Sequence, residues 1–413
     1  MEKRKVVITG VGAVTPLGRN AEESWAAARS GVCGIDAITL YDTSNQKAKF
    51  AAEVRGFDPL LHMDKKDARR NDRCIQFALA AAGEAAKNAG IEFQAEDPYR
   101  CGVVFSCGIG GMLTIQQNAA RGAEMGYDRI SPFFIPMSIA NMSAGQIAIA
   151  LGIHGMVTCP VTACAGGTNA LGDAMRQIRD GYLDVALCGG SEASITALGM
   201  GGFTVMQALS TATDPQRAST PFDLERSGFV MGEGAGALVL ESLEHAQARG
   251  ATILAEVAGY GASCDAHHIT APDPSGEGAA TCMRMALQDA GASPEDVDYI
   301  NAHGTSTPLN DAGETLAVKM AFGQHAYSLA ISSTKSMTGH MLGAAGAVEA
   351  IFTALALRDG FIPPTIGYQT PDPACDLDIV PNVGHSANLR AALSNSLGFG
   401  GHNASVLLRR FAD

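Results

Sequence analysis

Two stretches of this chain carry the reading of its fold: CAGGTNALGDAMRQIRDG, Cys164 to Gly181, and GAAGAVEAIFTALALRDG, Gly343 to Gly360. They have the same length. Each opens on a turn of glycine and alanine, continues as a small-residue helix and ends in Arg-Asp-Gly. Either two alanine-rich helices match by chance, or the chain is a duplicated α/β unit. The second reading makes two similar halves, residues 1–250 and 251–413, with a pseudo-two-fold between them and a division near Ala251.

The surrounding pattern is that of an α/β protein with buried sheets. A β-branched run at 5–8 ends at Gly10 and reads as a strand and turn. Helices are predicted over 21–30, 73–89, 145–151 and 171–179, with strands over 100–106, 184–188 and 236–240. This alternation of strand and helix fits the α/β class. At 413 residues, 46% hydrophobic and only 17% charged, the chain has enough apolar material for two domains and an oligomer contact.

A net charge of −13 argues against a nucleic-acid binder. It also means that an acidic partner must dock on a local basic patch. No signal peptide and no apolar run of ~18 residues is visible, so neither export nor a membrane span is expected. The ten cysteines form no CxxC pair, which points to a reduced, cytoplasmic protein rather than a zinc or disulfide framework. TGVGAVTPLG has Thr15 where the third glycine of a dinucleotide fingerprint belongs, and SCGIGGM lacks that spacing.

Four loops carry candidate chemistry. Cys164 follows a β-prone run and precedes Ala165, Gly166, Gly167 and a helix. A cysteine at a helix head meets free N–H groups and the helix dipole, which favour a thiolate, and small neighbours admit a substrate. In INAHGTSTPLND, a strand delivers His303 into a loop of glycine and hydroxyls. In SSTKSMTGHMLGAAGAVEA, Lys335 sits in a polar turn, with Glu349 or Asp311 as its inward partner, and His340 opens a helix whose dipole favours the neutral imidazole. In SNSLGFGGHNA, glycines flank Phe399 as in a loop that approaches a ligand. One thiol, two histidines and one lysine are the kit for thioester chemistry.

These motifs, in this order and over essentially the whole chain, closely resemble the β-ketoacyl-[acyl-carrier-protein] synthase II family of bacterial fatty acid synthesis. VVITGVGAVTPLG, SPFFIPMSIANM and PFDLERSGFVMGEGAG are similar to it too. The resemblance implies a thiolase-like α/β fold of two similar halves in five layers, αβαβα, assembled as a homodimer. It implies a decarboxylating Claisen condensation with Cys164 as nucleophile, His303 and His340 assisting decarboxylation, and Lys335 with Glu349 ordering the charges. Cys164 and Phe399 N–H groups would form the oxyanion hole, and Phe399 a gate. By the same resemblance, Ile109, Phe203, Phe229, Thr270, Thr305 and Thr307 touch substrate, and Asp311 supports the site. No cofactor is required for catalysis; a structural monovalent or divalent cation would sit near Asn301, Glu349, Ser394 and Asn395.

The partner implied is an acyl-carrier protein. MDKKDARRND offers Lys65, Lys66, Arg69 and Arg70 at helical spacing as its basic landing site. Asp128 and Gln207 depart from more basic family members, which leaves the second half of that surface open. A thiolase would need a second catalytic cysteine, and the GFGG loop has none. The alternatives kept are the ketosynthase subunit of a type II polyketide pathway and a non-catalytic carrier-binding scaffold.

Overall fold

The computed structural model describes residues 3–412. Ten strands form its large sheet: β1 (Val6–Val14), β2 (Cys101–Cys107), β3 (Val157–Thr158), β4 (Val185–Glu192), β5 (Gly234–Ser242), β6 (Ala255–Cys264), β7 (Tyr299–Asn301), β8 (Ala330–Ser332), β9 (Ala391–Gly398) and β10 (His402–Arg409). From edge to edge the order is β8-β7-β9-β10-β6-β1-β5-β4-β2-β3. This order is a palindrome in which each strand of the first five mirrors the strand five places later. The senses of pairing match as well. β2 runs parallel to β3 and β4, as β7 does to β8 and β9. The remaining neighbours in each half are antiparallel. The halves join where Val7 pairs with Glu256 and Ile8 with Ala255.

Six helices complete the layers: α1 (Arg73–Ala89), α2 (Met142–Leu151), α3 (Gly166–Arg179), α4 (Glu277–Ala290), α5 (Pro308–Phe322) and α6 (Ala345–Asp359). α1 and α2 share one apolar cluster with the first half-sheet, and α4 and α5 another with the second. α3 and α6 lie between, each packed on strands of both halves. Helix, sheet, helix, sheet, helix is the resulting stack.

The two quoted stretches are these central helices. Each is entered by a tight 3₁₀ turn, Ala163–Ala165 before α3 and Leu342–Ala344 before α6. The first residue of each turn has the same left-handed backbone, φ 50° at Ala163 and 45° at Leu342. Residues 345–357 of α6 are all buried, and all but Glu349 and Thr353 are small or apolar. Where the helices cross, a Cβ at Gly167 would stand 2.6 Å from Ala347 N, and one at Gly346 2.7 Å from Thr168 N.

Two strand ends differ from the sequence reading for one physical reason. β1 does not turn at Gly10 but runs on to Val14, buried throughout. A Cβ at Gly10 or Gly12 would run into the Ala89 or Ala85 backbone of α1. β4 likewise continues through Gly189 and Gly190 to Glu192, because the Leu342–Ala344 turn lies against Gly190. Glycine here permits close layer packing rather than a turn. Beyond Thr158, residues 159–162 leave the strand that the β-prone run predicts. Among the described residues, no helix is long and apolar enough to cross a membrane.

Candidate active site

Cys164 sits in the middle of the Ala163–Ala165 turn, at the head of α3, and is 8% exposed. It shares an apolar cluster with Phe229 and Leu342, against which Ile109 and Phe203 pack. The expected low thiol pKa is not what this setting produces. Burial pushes the thiol up to about 12, against the pull of the Lys335 charge and the N–H groups of Phe399 and Cys164 itself. Cys164 therefore rests as a thiol. The glycines after it also have a different task from the one expected. A Cβ at Gly166 would strike Ser106, and one at Gly167 would strike α6. They seat α3 in the core; Gly398, whose Cβ would be 3.2 Å from Cys164 N, is the glycine that leaves room beside the thiol's N–H.

The two histidines meet over this cysteine's cavity. His303 leaves the end of β7, and Glu314 of α5 holds its loop by accepting from His303 N and Gly304 N, both at 2.8 Å. His340 is clamped by the 230–232 segment: its N–H donates to Val230 O at 2.7 Å, and its carbonyl accepts from Gly232 N at 2.9 Å. The imidazole rings are 5.3 Å apart and nearly perpendicular, and Phe229 lies 5.3 Å from His340. Burial first, then the Lys335 charge, holds both far below the ordinary histidine range. Both rings are neutral, as the sequence leads one to expect for His340, although desolvation rather than a helix dipole dominates.

Lys335 is no surface charge. It begins a short helix, Lys335–Thr338, at 1% exposure, and its Nζ bonds Glu349 of α6. Burial pushes Glu349 up to about 7 against the pull of Lys335. Of the two expected partners, Asp311 is thus the wrong one. Asp311 accepts from Phe222 N at 2.9 Å and Ser306 N at 3.1 Å, with Arg226 Nε 3.7 Å away. It supports the 305–307 turn.

Cys164, His303, His340 and Phe399 line one cavity of about 620 Å³. Phe203, Phe229, Thr270, Thr305 and Thr307 line it with them. Ile109 is not on that wall but packs in the same cluster as Cys164. Phe399 occupies a three-residue hairpin turn with Gly400 and Gly401 at φ 85° and 75°, its ring 6.3 Å from Phe203. Glu314 also reaches the cavity and was not singled out from the sequence. Its signal was there: Asp311 and Glu314 stand three apart, on one face of a helix.

Three of the four expected cation ligands leave a buried oxygen without a partner. Asn301 pairs with Ser394 across β7 and β9, and Asn301 Nδ2 lies 3.5 Å from Glu349 O. Asn301 Oδ1, Glu349 Oε2 and Ser394 Oγ are all buried without a hydrogen-bond partner. Asn395 faces the opposite side of its strand, where Oδ1 accepts from Ser405 Oγ at 2.8 Å. Its side chain is therefore no ligand.

Lys65, Lys66, Arg69 and Arg70 are all exposed. They do not form a long basic helix: the helix is only Lys65–Ala68, capped by Asp64 and closed at Arg69. The Arg70 guanidinium lies 4.6 Å over the Phe133 ring.

The site's parts can be compared with known proteins. Residues 3–246 match the model of the β-ketoacyl synthase N-terminal domain, and residues 254–369 that of its C-terminal domain. The chain belongs to the β-ketoacyl synthase family. It is 48% identical to the 3-oxoacyl-[acyl-carrier-protein] synthase 2 of Synechocystis over 412 residues, covering 100% of this chain and 99% of that one. It is 50% identical to the protein of the same name from Staphylococcus aureus, covering 99% of both chains. A type II polyketide ketosynthase, solved with its acyl-carrier protein and bound to a hexaketide, superposes with a TM-score of 0.92 at 37% identity. That match covers 99% of this chain and 100% of the other. The five-layer stack is therefore the thiolase-like fold of the ketosynthases, which the resemblance implied.

Proposed function

We propose that this synthase elongates acyl chains on a carrier protein by decarboxylating Claisen condensation. The observation that carries the reading is one cavity in which a thiol faces two neutral imidazoles, with a buried Lys335–Glu349 pair behind them. Cys164 attacks the acyl thioester, its proton passes to the leaving carrier thiolate, and the acyl group stays on sulfur. Malonyl-carrier protein then enters. Its carboxylate carbon–carbon bond breaks, CO₂ leaves and the electron pair moves into an enolate. Neutral His303 and His340 donate N–H bonds to that oxygen. The enolate carbon attacks the acyl-Cys164 carbonyl. The oxyanion is met by the N–H groups of Cys164 and Phe399, and collapse expels the Cys164 thiolate, which takes a proton from water to restore the thiol, with 3-oxoacyl-carrier protein as product. The Lys335 charge supports this by disfavouring protonation of either imidazole.

The substrate partner proposed is an acidic acyl-carrier protein, docking on Lys65, Lys66, Arg69 and Arg70. Identities of 48–50% to synthases 2, against 37% to the polyketide ketosynthase, favour fatty acid elongation as the pathway. We place the enzyme in the cytoplasm as a homodimer. Strand β3, at the sheet edge with Val157 exposed, is an open pairing site for a second copy. Catalysis needs no cofactor. A structural cation fits the three unpartnered acceptors on Asn301, Glu349 and Ser394, where it would offset the buried carboxylate. Replacing Cys164 by alanine tests the mechanism: condensation should vanish in a protein that still folds. Survival of condensation would refute it. Turnover by the chain purified alone separates this reading from a polyketide subunit that needs a partner.

A further inference from the structure

The pseudo-two-fold gives the Cys164 turn a counterpart, and a carboxylate occupies it. At the Leu342–Ala344 turn, Gly343 stands where Cys164 stands in the other, and Gly343 N donates to Glu192 Oε2 at 3.2 Å. The same oxygen accepts from Gly108 N at 2.9 Å, and Oε1 accepts from Ser194 Oγ at 3.0 Å. Glu192 is the last residue of β4 and is 0% exposed. It therefore ties together three chain ends: that of β4, the one after β2, and the turn after His340.

Those ends carry apolar side chains near the thiol. Gly108 leads directly into Ile109, and Gly343 follows Leu342; Leu342 belongs to the cluster that contains Cys164, and Ile109 packs against it. Leu342 is held at φ 45°, a backbone that a branched side chain adopts only when its surroundings enforce it. The fit is close: a Cβ at Gly108 would run into Glu192 Oε2.

We propose that Glu192 is a positioning residue, locking the Ile109 segment packed beside Cys164 to the His340–Leu342 turn so that both stay in register with Cys164. Its role rests on the condensing function above. Burial pushes Glu192 up to about 7, and its negative charge opposes thiolate formation at Cys164. Thiol reactivity and turnover therefore respond to its removal with opposite signs.

The test is Glu192→Gln in the full chain, which keeps the size and one acceptor oxygen but removes the charge. Melting temperature, Cys164 alkylation by iodoacetamide against pH, and condensation kinetics with acyl-carrier proteins of graded length are compared with the parent. Alkylation at pH 8 should rise severalfold. kcat should fall about tenfold, the loss that follows slight misplacement of reacting groups, with KM for the carrier unchanged and the chain-length preference shifted. If either alkylation or kcat is unchanged in a variant that melts normally, the proposal is overturned. If kcat falls only in step with the folded fraction, Glu192 is merely structural. Should Glu192→Gln melt early, Ser194→Ala removes one donor to the carboxylate and should move the alkylation inflection to higher pH; no movement overturns the proposal. A parent enzyme that fails to condense would defeat the functional reading, while the alkylation profiles would still judge Glu192.

Discussion

The turns that open α3 and α6 are built alike and used differently. Both are 3₁₀ turns with a left-handed first residue, and both feed a small-residue helix into the centre of the molecule. At Cys164, Gly398 stands back from the main-chain N–H, and a cavity of about 620 Å³ opens over the sulfur. At Gly343, the equivalent N–H is bonded to a buried carboxylate of the protein itself. One copy of the unit faces an open cavity, and the other is closed by a buried carboxylate next to the His340 segment. Fold and chemistry are separable here: the frame is duplicated, and the reactive groups are not.

That contrast can be broken most forcefully at the histidines. His303→Ala and His340→Ala should each lower kcat by about 10²–10⁴-fold, the usual scale for a positioned proton-transfer or N–H-donor group. Transfer of the acyl chain to Cys164 should persist, and mass spectrometry of the acyl-enzyme checks this. Loss of acylation together with condensation would mean that the histidines shape the cavity rather than serve the enolate.

Lys335→Met comes next. It leaves Glu349 buried without its cation, and breaking such a pair costs about 3–5 kcal/mol, read as a lower denaturation midpoint. Lys335 lowers both histidine pKa values, so its loss raises them. The acid limb of the pH–rate profile should move to higher pH; an unmoved limb would separate Lys335 from the imidazoles.

Gly167→Val tests the shared frame. It forces a side chain into the α3–α6 crossing and should cost about 1–3 kcal/mol by urea unfolding. A neutral result would show that the crossing is looser than the 2.6 Å approach to Ala347 N implies.

A subtler effect concerns acid stability. The unfolded chain binds protons at both histidines below their ordinary pKa near 6.5, while the native rings stay neutral. Their contribution is present above that value and is lost as pH falls below it. Glu314 and Glu349, each pushed up to about 7, act in the opposite sense. The difference between parent and a double His→Asn variant isolates the histidines: the parent should lose more melting temperature between pH 7 and pH 5. The smallest effect expected is on docking, where Lys66→Glu with Arg69→Glu should raise KM for the carrier and leave kcat nearly unchanged.

What the sequence made legible was whatever repeats or stands in a motif. The equal lengths and endings of the two central helices raised a duplicated arrangement beside a chance match, and the four loops singled out Cys164, His303, His340, Lys335 and Phe399 without showing that they converge. Long-range packing was not legible. Gly10, Gly12 and Gly166 look like turn or access residues in sequence, yet each lies against another layer. The high thiol pKa follows from burial that no local pattern encodes. Lys335 had two plausible acids, and only the position of α6 decided for Glu349. Glu192 is one residue of a strand end, and of the groups bonded to it Ser194 is around the corner while Gly108 and Gly343 are 84 and 151 residues away.

In the proposed mechanism, decarboxylation and carbon–carbon bond formation are coupled at Cys164 between neutral histidines. Acyl-carrier protein and malonyl-carrier protein are mixed with the purified full chain, and CO₂ and 3-oxoacyl-carrier protein are counted together. One CO₂ should be released per 3-oxoacyl product, with product formation abolished by Cys164→Ala. Product formed without Cys164, or without matching CO₂, would contradict it.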